Sequence, residues 1–237
     1  MSISETFDVV VVGGGPSGAT AAHDLANLGR KVLLLDRAGR IKPCGGAIPP
    51  RLIRDFDIPD HLLVARVNSA RMVSPSDKQV DMPIDGGFVG MVDRDEFDEW
   101  LRERAAAAGA ERRTGLFRRF ERDETGKTVV YYEARATDGS KVERFVRTRA
   151  LIGADGALSA VARQCLPGAD RLPYVFAYHE IVRSPPAGSR FDGTRCDVYY
   201  RGSVSPDFYG WVFPHGDTVS VGTGSARKGF SLRDSVG

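Results

Sequence analysis

The stretch from Phe7 to Asp36 constrains this chain more than any other. Residues 7–12 read FDVVVV, a β-branched run suited to a strand buried on both faces. It passes directly into Gly13-Gly14-Gly15-Pro16-Ser17-Gly18, after which the small and apolar residues 19–28 suit a closely packed helix. Gly29 stands where a helix ends best on a left-handed residue. Residues 31–35 (KVLLL) form a second buried strand, closed by Asp36. Strand, glycine turn, helix, strand and terminal acid, in that order, make a Rossmann-like βαβ unit, so the fold class is α/β.

The same residues point to a dinucleotide. Gly13 permits the tight turn, Gly15 lets a pyrophosphate approach the backbone, and Gly18 lets the helix pack close to the sheet. The helix start at Pro16 and Ser17 then faces the phosphates. Asp36 can accept both hydroxyls of an adenosine ribose and would repel a 2′-phosphate, so FAD or NAD is expected rather than NADP. A lone glycine triplet would be no more than a turn; the two strands and an acid roughly 20 residues on favour the cofactor.

Composition narrows the rest. With 33 Lys+Arg against 31 Asp+Glu the net charge is +2, which argues against a nucleic-acid partner. Cys44, Cys165 and Cys196 are too scattered for a disulfide framework, so a reducing, cytoplasmic compartment is expected. His23, His61, His179 and His215 make no metal-binding pair. The opening MSISETFD lacks the basic region of a secretory signal, and no apolar run reaches the ~18 to 20 residues of a membrane span. Any membrane contact would be made from the surface.

Beyond Asp36 the chain does not continue as an NAD dehydrogenase would. Residues 40–50 (RIKPCGGAIPP) read as an irregular loop near the nucleotide. A helix begins after Val92 with Asp93 as its N-cap and Phe97, Trp100 and Leu101 at helical spacing, and it fades at Gly109. Strands are expected at about 116–120, 128–136 and 141–146, broken by Gly126 and by Asp138-Gly139, then a short buried strand from 150 closing on Asp155-Gly156. From these residues alone that last turn is either an ordinary hairpin or a cofactor turn. Glu111-Arg112-Arg113 and Arg118-Arg119 with Glu121, Arg122 and Asp123 read as a solvated surface, with an anionic membrane or diphosphate contact as the alternative. Gly222-x-Gly224 reads as a strand end.

Gly13-x-Gly15-x-x-Gly18 with Asp36-Arg37, Arg94-x-x-Phe97-Asp98, and Gly153-Ala154-Asp155-Gly156-x-x-Ser159 resemble the para-hydroxybenzoate-hydroxylase-type FAD fold. The resemblance implies that Asp155 and Gly156 hold the ribose and pyrophosphate region, that Arg37 and Arg94 lie at the cofactor, and, by fold placement alone, that Phe117 lends backbone groups to the adenine. Arg163 stands one residue further from Asp155 than the closing arginine of that pattern.

Two more segments sharpen the resemblance. Lys42-Pro43-Cys44-Gly45-Gly46-Ala47-Ile48-Pro49, and 205–214 with its Pro-x-x-Tyr-x-Trp-x-Phe-Pro pattern, are similar to the geranylgeranyl reductases of chlorophyll and bacteriochlorophyll synthesis in photosynthetic organisms. This implies an FAD-dependent oxidoreductase with NADPH as transient hydride donor. Its substrate would be a polyprenyl group, on a pigment or as the diphosphate, converted to phytyl at a photosynthetic membrane surface. Cys44, Gly45 and Gly46 would lie by the isoalloxazine, where the Cys44 thiol would protonate an alkene carbon, tune the flavin or simply pack. On a strand, Tyr209, Trp211 and Phe213 share one face by the period of two, either as a wall for the prenyl chain or as the core face of a sheet. The rivals are an FAD-dependent aromatic hydroxylase and a flavoprotein without catalysis.

The expected architecture is an FAD domain of residues 1–67 and 93–170, interrupted by a sheet-rich substrate domain of 68–92 and 171–237. The resemblance also calls for a third cofactor motif, a strand ending in Gly-Asp, and no such segment precedes Gly237; His215-Gly216-Asp217 lacks the buried strand before it. The C-terminal part of the fold is therefore expected to be absent, and the chain alone to bind FAD weakly.

Overall fold

The computed structural model describes residues 5–37, 39, 41–186 and 189–237. Arg40 at the head of the expected cofactor loop, and residues 1–4 of the opening, lie outside these. In chain order the elements are β1 (Thr6–Val12), α1 (Pro16–Asn27), β2 (Val32–Asp36), β3 (Ala47–Ile48), α2 (Pro50–Asp55), β4 (Ala65–Val67), β5 (Ser69–Val73), β6 (Gln79–Pro83), β7 (Val89–Met91) and α3 (Arg94–Ala107). Then follow β8 (Glu111–Thr114), β9 (Leu116–Arg122), β10 (Thr128–Arg135), β11 (Lys141–Gly153), α4 (Ala160–Cys165), β12 (Phe176–Arg183), β13 (Arg195–Tyr199), β14 (Gly210–His215) and β15 (Thr218–Ser225).

The chain divides into two compact units, residues 1–40 with 98–172 and residues 41–97 with 173–237. These divisions differ from those drawn on sequence mainly in where 41–67 belongs. The reason is pairing: β3 and β4 both bond to β7, forming a small sheet in the second unit.

The first unit is a sheet ordered β8-β2-β1-β11-β10-β9. The run of Val and Leu in β1 and β2 forms its centre, and Val10, Val11, Leu33 and Leu34 are almost wholly removed from solvent. Each such side chain stabilises the fold by about 1.5–3 kcal/mol. Gly29, at φ +72°, follows the end of α1 and donates its N–H to Ala26, the left-handed ending expected there.

Where a short strand from 150 was expected, the structure has one strand of 13 residues, β11. Its first part pairs antiparallel with β10 and its second part parallel with β1. A strand that changes partner midway carries no punctuation in sequence at the change. The acidic and basic run 111–114 is itself an edge strand, β8, parallel to β2. The second unit's main sheet is ordered β12-β15-β14-β13-β5-β6. Its small sheet packs Val67 and Met91 with Cys196 and Phe213. Ala47–Ile48, expected as loop, is a two-residue edge strand, and Pro50 opens α2, where its missing N–H costs nothing.

Candidate functional site

In the first unit the chain itself requires most of the glycines in the turn after β1. Gly13 sits at φ +103°, and a Cβ there would strike the carbonyl of Ala154 at the end of β11. A Cβ on Gly18 would strike the carbonyl oxygen of Gly13, and one on Gly14 would stand 2.9 Å from Cβ of Asp36. Gly15 differs. Its φ of −75° suits any residue, and a Cβ there would meet nothing within 4 Å. The protein leaves open space above this backbone, which fits the close approach of a pyrophosphate. Pro16 is the first residue of α1 and Ser17, exposed, the second.

The peptide of Gly14 is held from both sides. Its N–H donates to Asp36 Oδ2 at 2.7 Å, and its carbonyl accepts from Nη1 of Arg102 at 3.0 Å. Arg102 in turn donates to Glu99, which also accepts from Arg112. Burial works to raise the pKa of Glu99, yet the hydrogen bonds from Arg112 and Arg102 hold it below the usual carboxylate range. Sequence reading found Asp36 and missed Arg102. Its only signal was the i,i+3 spacing from Glu99 on a helix. Arg37 is exposed after β2.

Asp155 is occupied locally. Its carboxylate accepts from the hydroxyl of Ser159 and from the N–H groups of Ala160, at 2.6 Å, and Val161, at 3.3 Å. Ser159 caps α4 by accepting from Ala162 N–H. Gly156, at φ +89°, makes the turn, and Phe117 is buried in the unit's core. Arg163 is exposed.

The basic run is neutralised. Arg113 meets Glu5 and Glu111, Arg118 meets Glu133, and Arg119 meets Glu121 and Glu143. These pairs fit the solvated surface better than an anion-binding one.

In the second unit Cys44 and Gly45 are half-buried and Gly46 is buried, all before β3. The N–H of Gly46 points at Cys44 Sγ, 3.5 Å away. Gly45 lies on the aromatic strand: a Cβ there would stand 2.5 Å from Cδ2 of Phe213 and 3.5 Å from the indole nitrogen of Trp211. Tyr209, just ahead of β14, continues the row, with ring centroids 6.3 Å apart for Tyr209–Trp211 and again for Trp211–Phe213. The three rings are thus contiguous. Trp211 is only 5% exposed and its indole N–H donates to Ser220.

Gly222 lies inside β15, where a Cβ would strike Trp211, and Gly224 near its end clears the ring of Phe208. The pair makes room for aromatic rings as well as leading to a strand end. Arg94, half-buried, is the first residue of α3. Asp93 stands before it, its carbonyl accepting from Phe97 N–H as an N-cap's does, while its side chain reaches His215. Cys196 is buried beside Met91, and burial pushes its thiol up to about 12, which removes it from chemistry near neutral pH. The described residues contain no cluster able to hold a metal, and no helix among them is long and apolar enough to cross a membrane.

The family model described as FAD binding domain matches residues 6–173. The chain belongs to the FAD binding domain family. Among curated relatives, a geranylgeranyl diphosphate reductase of Rhodobacter capsulatus is 62% identical over 96% of this chain and 57% of that protein. A chloroplastic geranylgeranyl diphosphate reductase of Oryza sativa is 42% identical over 92% of this chain and 48% of that protein. A crystal structure of a geranylgeranyl bacteriochlorophyll reductase-like protein from Thermoplasma acidophilum matches with a TM-score of 0.80 and 28% identity, covering 98% of this chain and 60% of that one. The chain spans about half the length of the curated relatives it matches. FAD is the cofactor of this family, and the open backbone at Gly15 fits it.

Proposed function

We propose that this chain is the FAD-binding and substrate-facing part of a reductase of prenyl double bonds, acting on a geranylgeranyl group as diphosphate or pigment ester. What carries the reading is the seat of Gly45 on Phe213 and Trp211. The loop that the resemblance assigns to the flavin rests on an aromatic strand whose residues 209–213 carry no charged side chain. A polyprenyl chain has almost no polar atoms to recognise, so such a surface is what would orient it. FAD, when bound and reduced by NADPH, would supply a hydride to one carbon of an isolated double bond, and a proton would have to reach the other.

The chain's own residues have three tasks in this reading. Asp36 and Arg102 fix the Gly14 peptide so that the neighbouring backbone is preorganised for a pyrophosphate. Tyr209 and Phe213 line the prenyl chain, with Trp211 as their support. Cys44, whose Sγ accepts from the Gly46 N–H, is the candidate proton donor. Cys44→Ser with unchanged single-turnover oxidation of reduced flavin by substrate would remove that thiol from the proton path. A substrate of this kind is met at a membrane surface.

The test is anaerobic. The protein with FAD and NADPH is offered geranylgeranyl diphosphate and geranylgeranyl bacteriochlorophyll side by side, and the products are weighed by mass spectrometry. A gain of two hydrogens per reduced bond is expected. Substrate-dependent oxygen consumption with no such gain would mean a hydroxylase instead. NADPH failing to bleach the flavin even with substrate present would point to a flavoprotein without catalysis.

A further inference from the structure

His215 ends β14 with its side chain only 3% exposed. Both ring nitrogens face acceptors. Nδ1 stands 2.8 Å from Oδ1 of Asp93, and Nε2 stands 3.0 Å from the carbonyl oxygen of Gly45. Neither a carboxylate nor a backbone carbonyl carries a hydrogen of its own, so the ring must donate both bonds. Only the doubly protonated imidazole has two N–H groups. A neutral ring would turn a lone pair toward one of the two oxygens in a buried place, where an unmade hydrogen bond is costly. Asp93, 43% exposed, supplies the balancing charge as a solvated carboxylate.

The contacts close a circuit around the loop. Gly46, at φ +74°, lies so near the ring that a Cβ would stand 2.7 Å from Cε1 of His215. The carbonyl of Gly46 accepts from the N–H of Val92 at 2.9 Å, and Val92 precedes Asp93 in the chain. Ring, loop and the approach to α3 therefore hold one another. Titratable and charged groups beside this circuit include Lys42 and Cys44 in the loop, Arg94 directly after Asp93, and His179 on β12. Burial first, and then the charge on His215, pushes His179 below the ordinary histidine value.

We propose that His215 is a positioning residue: an imidazolium held between Asp93 and the Gly45 carbonyl, whose charge fixes the Cys44–Gly46 loop. Its bearing on catalysis rests on the assignment of that loop to the flavin; the brace itself does not.

The experiment uses the protein labelled with 15N-histidine, observed by NMR near neutral pH, with the His215 signals assigned by their loss in His215→Gln. Two protonated ring nitrogens are expected for His215; a single unprotonated nitrogen would overturn the proposal. Asp93→Asn supplies an N–H to Nδ1, so a neutral ring then fits, and His215 should become neutral while the loop stays in place. Amide exchange at Gly46 and Val92 should rise about tenfold or more in His215→Gln, as for loss of a charge-assisted bond, and change by less than about twofold in Asp93→Asn. An unchanged rate in His215→Gln, or a ring still doubly protonated in Asp93→Asn, would also overturn it. If His215→Gln does not fold, the wild-type spectrum and Asp93→Asn still decide. Adding FAD separates the two readings: an imidazolium whose loop amides do not respond to bound FAD keeps the brace and sinks the flavin assignment.

Discussion

Two glycine-rich segments dominate this molecule, and their glycines exist for different reasons. In the turn 13–18 the crowding comes mainly from nearby backbone: Gly18 against the Gly13 carbonyl, and Gly13 against the end of the adjacent strand. In the loop 44–46 much of it comes from side chains about 170 residues away, Phe213 and His215 on β14. The first segment is built by a local motif that any βαβ unit of this kind needs. The second is built by a tertiary contact and joins the loop to the aromatic row. Gly15 belongs to neither class, because nothing in the protein excludes a side chain there.

The largest effect should come from Gly18→Ala, since backbone must move to admit the methyl group. A loss of about 3 kcal/mol or more is expected in chemical denaturation. A near-neutral result would break the claim that the first turn is crowded by backbone.

Gly15→Ala should behave in the opposite way. Stability should stay within about 0.5 kcal/mol, as for a surface change, while FAD affinity by fluorescence titration falls tenfold or more, corresponding to about 1.4 kcal/mol. Equal loss of stability and binding would make Gly15 one more structural glycine.

Gly45→Ala should cost about 1–3 kcal/mol by displacing a ring, as overpacking does. Because the obstacle is a side chain, Phe213→Leu should recover about 1 kcal/mol of that in a double-mutant cycle, a coupling that residues in contact commonly show. Strictly additive effects would mean that the loop and the strand are not in contact.

The smallest effect concerns pH. His179 has its folded pKa pushed below the ordinary histidine value of about 6.5 by burial and by the charge on His215. The unfolded chain therefore binds the proton more readily, so this contribution to stability is whole above about 6.5 and is lost as pH falls through the lower folded value. The wild type should lose stability on acidification faster than His179→Gln in thermal melts from pH 7 to 5. Parallel curves would show that His179 is not desolvated in the folded protein.

Much of the first unit was legible in the chain. The β1-turn-α1-β2 order with Asp36 closing β2, the left-handed Gly29 and the hairpin at Asp138-Gly139 all rest on residues close in sequence. The aromatic row was legible too, because the period of two puts Tyr209, Trp211 and Phe213 on one side. Other features were not. The local partners of Asp155 were not foreseen: its carboxylate is engaged by Ser159 and the start of α4. The roles of Arg102 and His215 had no adequate sequence signal, since the i,i+3 spacing of Arg102 from Glu99 says nothing of Gly14. Their partners, Gly14 and Gly45, lie 88 and 170 residues away, and no local pattern encodes such a distance.

By itself, the sequence determined the glycine turn between β1 and α1, because much of its close packing, Gly18 on Gly13 and Gly14 on Asp36, is made by neighbours within about thirty residues, with Ala154 completing it from afar. Tertiary structure alone decided what the glycines at 45 and 46 are for. Their neighbours are Phe213 and His215, and only the folded sheet brings a ring and a doubly donating imidazole against a loop that would otherwise read as a simple break.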